Sequence, residues 1–211
     1  MTEPTAPALP VVRRLPRYYR FFSELKKNGV KNISSRALSE LMGLTASQIR
    51  QDFSVFGIKG QQGCGYDVTE TAAELGGILR LDRRKKAVLI GAGNLGRAIS
   101  EHMDFEGKGY ELIGIFDSDP ALTGTVLRGL NIMSESELAA FCLANKPEIA
   151  ILCVPTEPAP ELARLLYDGG VRAFWNFSHA NIAAVCPDAV VENVHLSDSL
   201  MILSYLYDKN C

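Results

Sequence analysis

Nowhere does the 211-residue sequence hold an apolar run near the roughly 20 residues that span a bilayer; the longest, near 87–90 and 148–154, are strand-sized. The start is rich in proline, alanine and threonine and lacks the basic and apolar segments that export requires. Residues 1–15 are therefore expected to form a disordered arm of a cytoplasmic protein. The five cysteines (Cys64, Cys142, Cys153, Cys186 and Cys211) are odd in number and contain no C-x-x-C pair, so neither a disulfide framework nor a zinc site is indicated, and no metal is expected. Free thiols are expected, with Cys153 filling a core strand and Cys211 exposed. No internal repeat and no long low-complexity tract is present.

Net charge is small, −2, but unevenly divided. Residues 1–86 hold 15 Lys/Arg against 8 Asp/Glu, whereas residues 87–211 hold 7 against 16. A basic front half suits a polyanionic partner, and the acidic back half must do something else.

In the front half, Pro16 can open a helix carrying Tyr18, Tyr19, Phe21, Phe22 and Leu25, which Asn28-Gly29 ends. Ser34 or Ser35 can cap a short helix with Ala37, Leu38 and Leu41, and Gly43 stops it as a left-handed residue. Thr45 and Gln48 have capping-box spacing, and Ile49, Phe53 and Phe56 then share a face. The result is helix, tight turn, helix. The four glycines between Gly57 and Tyr66 fit a tight β-hairpin, the preferred reading, or a flexible loop. A helix from Asp67 to about Leu81 leads to the basic run 83–86, where a domain boundary is placed.

Helix-turn-helix geometry sets the second helix, 45–56, in the DNA major groove, with the first bracing across the backbone. Arg pairs with guanine and Gln with adenine, so Arg50 and Gln51 are the candidates for base contact. Ser35, Thr45, Ser47, Gln48 and Ser54 serve phosphates or pack, and Lys59 on the wing with Arg13, Arg14 and Arg17 adds positive charge along the backbone.

From residue 87 onward, strand-like runs alternate with helical patterns, the signature of a parallel sheet with crossover helices. Strands are read at 87–90, 112–116, 149–154, 173–176 and 189–194; helices at 94–103, 135–143, 158–168 and 197–207. The motif Gly91-Ala92-Gly93-Asn94-Leu95-Gly96 joins the first strand to the first helix. Its glycines allow a tight turn, close approach of a pyrophosphate and close packing of helix on strand, and the helix start offers N–H groups and a positive dipole end. The next strand ends at Asp117, 21 residues beyond Gly96, where a carboxylate can hold ribose hydroxyls and repel a 2′-phosphate, so NADH and NAD+ are expected rather than their phosphorylated forms. Val154, Pro155, Thr156, Asn176 and Phe177, at the ends of later strands, are expected on the nicotinamide side.

The two halves together resemble the Rex family of redox-sensing transcriptional repressors. The resemblance runs from about Pro16 to Tyr207 and is carried by Leu15-Pro16-Arg17-Tyr18-Tyr19-Arg20, the run from Ser34 to Gly57, Gly63-Cys64-Gly65-Tyr66-Asp67, the glycine loop, Phe116-Asp117-Ser118-Asp119-Pro120 and Val191-Glu192-Asn193-Val194. It implies an α/β protein: a winged helix-turn-helix domain (16–82), a Rossmann-like doubly wound parallel-sheet domain (83–195) and a C-terminal helix (196–211) swapped between subunits of a homodimer. It also implies binding to an inverted-repeat DNA operator and release when NADH binds. Coupling falls to Arg20, Tyr66, His102 and His195; the two histidines stand where some members have Tyr and Asp, so the sensing contacts differ. The rival reading is an NAD-dependent oxidoreductase with a basic appendage, but only about 35 residues follow the fourth strand, too few for a substrate domain.

Overall fold

A computed structural model describes residues 7–210. They divide into two compact units, one ending at Asp82 and the other beginning at Arg83.

The first unit contains α1 (Leu9–Lys27), β1 (Asn32–Ile33), α2 (Ser35–Met42), α3 (Ala46–Val55), β2 (Tyr66–Asp67) and α4 (Val68–Ile78). The expected arm is corrected here: α1 begins at Leu9 and carries Pro16 in its interior. Pro10 occupies the first turn, where a missing N–H costs nothing, and the amides of Val11 and Val12 both donate to the Ala8 carbonyl. Leu15 is buried and Arg14 is tied to α3, and these anchors outweigh the single helical bond that Pro16 forfeits. Residues 1–6, the rest of the expected arm, lie outside the described residues.

One apolar cluster fills this unit, with Tyr18 and Phe22 from α1, Leu38 and Met42 from α2, and Ile49 and Phe53 from α3. Phe53 is its hub, meeting Tyr18 and Tyr66 edge-on, each with ring centroids 4.9 Å away. The turn between α2 and α3 follows its chemistry. Ser34 Oγ accepts from the Ala37 amide, Gly43 takes φ +63°, and Thr45 Oγ1 accepts from the Gln48 amide at 3.1 Å.

The hairpin expected within 57–66 is reduced to one bridge, Gln61 with Gly65. The ladder forms elsewhere, with β2 pairing antiparallel to β1. Gly65 permits it: a Cβ there would stand 2.3 Å from the Ile33 carbonyl oxygen.

The second unit is a seven-stranded sheet in the order β5-β6-β4-β3-β7-β8-β9. The strands are β3 (Lys85–Ile90), β4 (Tyr110–Asp117), β5 (Val126–Leu127), β6 (Leu130–Ser134), β7 (Ile149–Leu152), β8 (Ala173–Asn176) and β9 (Val190–Asn193). All pairs are parallel except β5 with β6. The helices are α5 (Asn94–His102), α6 (Leu138–Asn145), α7 (Ala159–Asp168) and α8 (Leu196–Asn210). Counting the parallel strands from β3, their order is that of a Rossmann fold, with the direction of winding reversing between β3 and β7.

The β5–β6 hairpin was absent from the sequence reading. Its two turn residues, Arg128 and Gly129, both have positive φ (+52° and +76°), a conformation usually announced by Asn-Gly, and Arg in the first place hides it. Among the described residues no helix is long and apolar enough to cross a membrane. From Leu196 to Tyr207, α8 leaves eight large apolar side chains 50–66 % exposed.

Candidate functional site

At the reversal point, the carboxyl ends of β3, β4 and β7 meet. The Gly91 amide donates to the Phe116 carbonyl and the Cys153 amide to the Ile90 carbonyl, each at 2.8 Å. Two of the three motif glycines are demanded by the protein itself. A Cβ on Gly91, whose φ is +93°, would lie 2.6 Å from the Cys153 carbonyl oxygen, and one on Gly96 would lie 1.9 Å from the Gly91 carbonyl oxygen. A Cβ on Gly93 would meet nothing within 4 Å. That glycine faces open space, which is what close approach of a pyrophosphate needs.

Gly93 is also the N-cap of α5, and no side chain caps the helix. Asn94, Leu95 and Gly96 form its first turn, so their amides and the positive dipole end mark the place for an anion. Ala92 is buried, and its amide donates to Asp117 Oδ2 at 2.6 Å, while Asp117 Oδ1 accepts from the Asp119 amide at 2.8 Å. The carboxylate is thus fixed against the glycine loop, with lone pairs left for ribose hydroxyls.

Glu135, which the sequence reading passed over, is the next acid. Strand pairing sets Asp117 opposite Ser134, and Glu135 follows at once. Burial raises its carboxyl pKa, and the negative charge of Asp117 raises it further. Two acids here disfavour a 2′-phosphate more strongly than Asp117 alone. These residues fit a dinucleotide without a 2′-phosphate.

On the expected nicotinamide side the result is mixed. Val154 is nearly buried, Pro155 and Thr156 are at the surface, and Thr156 Oγ1 donates to the Ser178 carbonyl at 2.6 Å. Phe177 is half-buried and packs edge-on against Trp175. Asn176 is corrected to a structural role, because its fully buried amide has spent its bonding capacity. Nδ2 donates to Ala180 O and Asn193 Oδ1, and Oδ1 accepts from the amide and hydroxyl of Ser178.

Among the coupling candidates, Arg20 and His102 are exposed, His102 as the last residue of α5. Tyr66 is 5 % exposed, and its ring serves the core of the first unit. His195 stacks on His179 with ring centroids 4.5 Å apart and 13° between planes, and its Nδ1 is buried without a hydrogen-bond partner. His179 was missed although it follows the β8 strand end by three residues. The strand-end rule that selected Phe177 could have included it.

In the first unit, Ser47, Arg50, Gln51 and Ser54 are all exposed, at spacings of three, one and three residues, and so form one stripe along α3. Ile49, Asp52 and Phe53 make up the buried face. Thr45 caps the helix, Gln48 is half-exposed, and Ser35 Oγ accepts from Arg50 Nη1 at 3.0 Å. Lys59 and Arg13 are at the surface, and Arg17 Nη2 donates to the Met42 carbonyl at the end of α2. Arg14, read as a phosphate contact, is instead committed inward: its Nε and Nη2 each reach a carboxylate oxygen of Asp52 at 2.7 Å. Asp52 was missed because an acid in a DNA-reading helix gives no signal until its partner is known.

Among the described residues no group of three or more His, Cys, Asp or Glu could hold a metal. Cys64 is exposed, Cys142 and Cys186 are buried, and burial pushes the Cys153 thiol up to about 12; Cys211 lies outside the described residues.

Comparison with known proteins gives the same division. Residues 8–54 match a family described as "Putative DNA-binding protein N-terminus", and residues 82–180 match one described as "CoA binding domain". The redox-sensing transcriptional repressor Rex of Thermoanaerobacter pseudethanolicus is 49 % identical over 205 residues, covering 97 % of this chain and 91 % of the relative. That of Clostridium beijerinckii is 47 % identical, covering 96 % of each. Among solved structures, RSP, a Rex-family repressor, is 46 % identical with a TM-score of 0.89, covering 98 % of this chain and 96 % of its own. RSP in complex with β-NAD+ and operator DNA is 48 % identical with a TM-score of 0.90, covering 98 % and 94 %. RSP in complex with β-NADH is 45 % identical with a TM-score of 0.88, covering 98 % and 96 %. A helix-turn-helix unit joined to a glycine-loop Rossmann unit, with identity of this order along the whole length, places the chain in the Rex family of redox-sensing transcriptional repressors.

Proposed function

We propose that this chain is a DNA-binding transcriptional repressor that senses the NADH/NAD+ balance and releases an operator when NADH occupies the cradle of the second unit. The observation that carries the reading is the presence in one chain of an exposed Ser47-Arg50-Gln51-Ser54 stripe and an uncapped glycine cradle beside Asp117.

The residues divide the work. The first-turn amides of α5 hold the pyrophosphate, Gly93 lets it approach, and Asp117 with Glu135 nearby takes the ribose and rejects a 2′-phosphate. Thr156 and Phe177 border the nicotinamide, with Val154 and Pro155 behind. NADH and NAD+ differ by one hydride, which removes the positive charge of the nicotinamide ring and changes its shape, so the two forms are distinguishable ligands. A ligand shifts a two-state equilibrium only through differential affinity for the two states, and about a hundredfold difference, roughly 2.7 kcal/mol, suffices where the states are nearly balanced.

The DNA partner is read by Arg50 and Gln51 at base edges, with Ser35, Thr45, Ser47, Gln48, Ser54, Lys59, Arg13 and Arg17 along the phosphates. An inverted repeat matches a homodimer. The apolar surface of α8 favours that assembly, since a helix so exposed gains most by burial on a second copy. Coupling passes through Arg20, His102 and the His179–His195 stack. The protein works in the cytoplasm and catalyses no reaction, as its repressor relatives suggest.

Titration of a promoter fragment in a gel shift tests the reading, with about 90 % of the complex lost at saturating NADH and retained in NAD+, as a hundredfold affinity loss requires when free protein is near tenfold above its Kd. Equal retention in both nucleotides overturns it. By reciprocity, operator DNA must weaken NADH binding by the same factor.

A further inference from the structure

The buried face of α3 contains a charge that packing alone does not require. Asp52, 3 % exposed, accepts three hydrogen bonds, all from α1: Oδ1 from Arg14 Nη2, and Oδ2 from both Arg14 Nε and the Tyr18 hydroxyl, each at 2.7 Å. Burial by itself would raise the Asp52 carboxyl, but the bonds from Arg14 and Tyr18 outweigh it and hold the group below its ordinary range. The Tyr18 phenol is pushed far upward by burial and by its bond to Asp52. The carboxylate is therefore ionised and bound on both oxygens. One residue before it stands Gln51 and two before it Arg50, on the opposite face.

We infer that Arg14 and Tyr18 are positioning residues that set the roll of α3 through Asp52, and thereby the base selectivity of the Arg50–Gln51 stripe. This rests on the reading of α3 as the DNA-contacting helix. A buried ion pair is weak evidence for stability, since desolvation offsets its attraction. Its directionality is another matter. The apolar contacts of Ile49 and Phe53 tolerate a small roll, because burial is non-directional, whereas a bidentate guanidinium–carboxylate pair fixes an angle.

The lever is short. With side-chain tips about 6 Å from the helix axis, a roll of about 20° carries them about 2 Å, enough to break hydrogen bonds to base edges. Arg17, bonded to the Met42 carbonyl, lets α1 hold the end of α2 as well, so both helices of the motif are referred to the same rod.

The test uses the full chain and a duplex selected by the parent protein from a random-sequence pool, together with the same duplex carrying one changed base pair per half-site. The variant R14M/D52L replaces the pair by apolar side chains and leaves the buried Tyr18 hydroxyl without its acceptor, so some loss of stability is expected and folding is checked first. Its expected discrimination between the two duplexes falls from the roughly tenfold to hundredfold per base pair of a well-read site to less than about threefold. Loss of affinity on both duplexes alike is the signature of a merely structural role.

R14K, which keeps the charge and forfeits the bidentate geometry, and Y18F, which removes one bond and no charge, keep the question open to measurement should the double variant not fold. Each is expected to lower discrimination by at least about threefold, within the effect of one misplaced base contact, with thermal midpoints close to the parent. Discrimination within about twofold of the parent in R14K and Y18F, or in a folded R14M/D52L, overturns the inference. A parent protein that shows no discrimination overturns instead the assignment of α3 to DNA, and the two failures are distinct.

Discussion

On the proposed reading, the two units place their function in different parts of the chain. In the second, the chemistry belongs to the backbone: amides at the start of α5, and glycines whose missing Cβ atoms leave room for the Gly91 and Cys153 carbonyls and for a ligand. In the first it belongs to side chains on one stripe of α3, held from behind by a buried ion pair. A backbone site tolerates almost no substitution at its glycines, whereas a side-chain stripe can be altered one contact at a time. Substitutions in the second unit should therefore act as switches, and those in the first as gradations.

The largest expected effect is that of Gly96→Val, whose Cβ cannot coexist with the Gly91 carbonyl 1.9 Å away. NADH binding by calorimetry should be lost beyond about a hundredfold, with overpacking lowering stability by about 3 kcal/mol in urea unfolding. Gly93→Ala sharpens the point. No protein atom lies within 4 Å of the added methyl, so stability should hold while NADH affinity drops by about tenfold. Equal affinities for Gly93→Ala and the parent would place the pyrophosphate elsewhere.

Next in size, Arg50→Ala should cost about 1–3 kcal/mol of operator binding and relax selectivity at one position of each half-site, measured by anisotropy at fixed salt. Asp117→Ser should narrow the preference for NADH over its 2′-phosphorylated form by about tenfold, with Glu135 retaining the rest.

A smaller effect separates the units by pH. The Asp52 carboxyl lies lower in the folded chain than its unfolded value of about 3.9, so the stability it supplies is complete above that value and lost as pH falls through the folded one. Urea midpoints at pH 5 and pH 3 should thus differ more for the parent than for R14M/D52L. Smallest is the contrast in thiols. Iodoacetamide at neutral pH should label Cys64 within minutes and leave Cys142, Cys153 and Cys186 unmodified, because burial raises all three thiols, Cys153 to about 12.

What could be read without coordinates follows the same division. The Rossmann class was legible because β3, the glycine loop, α5 and β4 are contiguous, and two of the loop's glycines, Gly91 and Gly96, answer local steric demands. The helix-turn-helix was legible from Ser34, Gly43 and Thr45, whose caps act within a few residues. One miss was local: the β5–β6 hairpin turns on an Arg at positive φ. The others were non-local, and α1 extends through Pro16 because Arg14 and Leu15 find partners across the unit. The inward use of Arg14 and the saturation of Asn176 are likewise partnerships between elements distant in sequence, and composition does not announce them.

Asn176 has one more consequence. Its amide bridges the loop after β8, through Ser178 and Ala180, to Asn193 at the end of β9, and its own carbonyl accepts from the Val194 amide at 2.8 Å. Two residues further on, α8 begins. The loop that carries Phe177, proposed to border the nicotinamide, and the root of the helix that bears the apolar surface are therefore riveted to a single buried side chain. A displacement at Phe177 is expected to reach the base of α8 by way of that one amide.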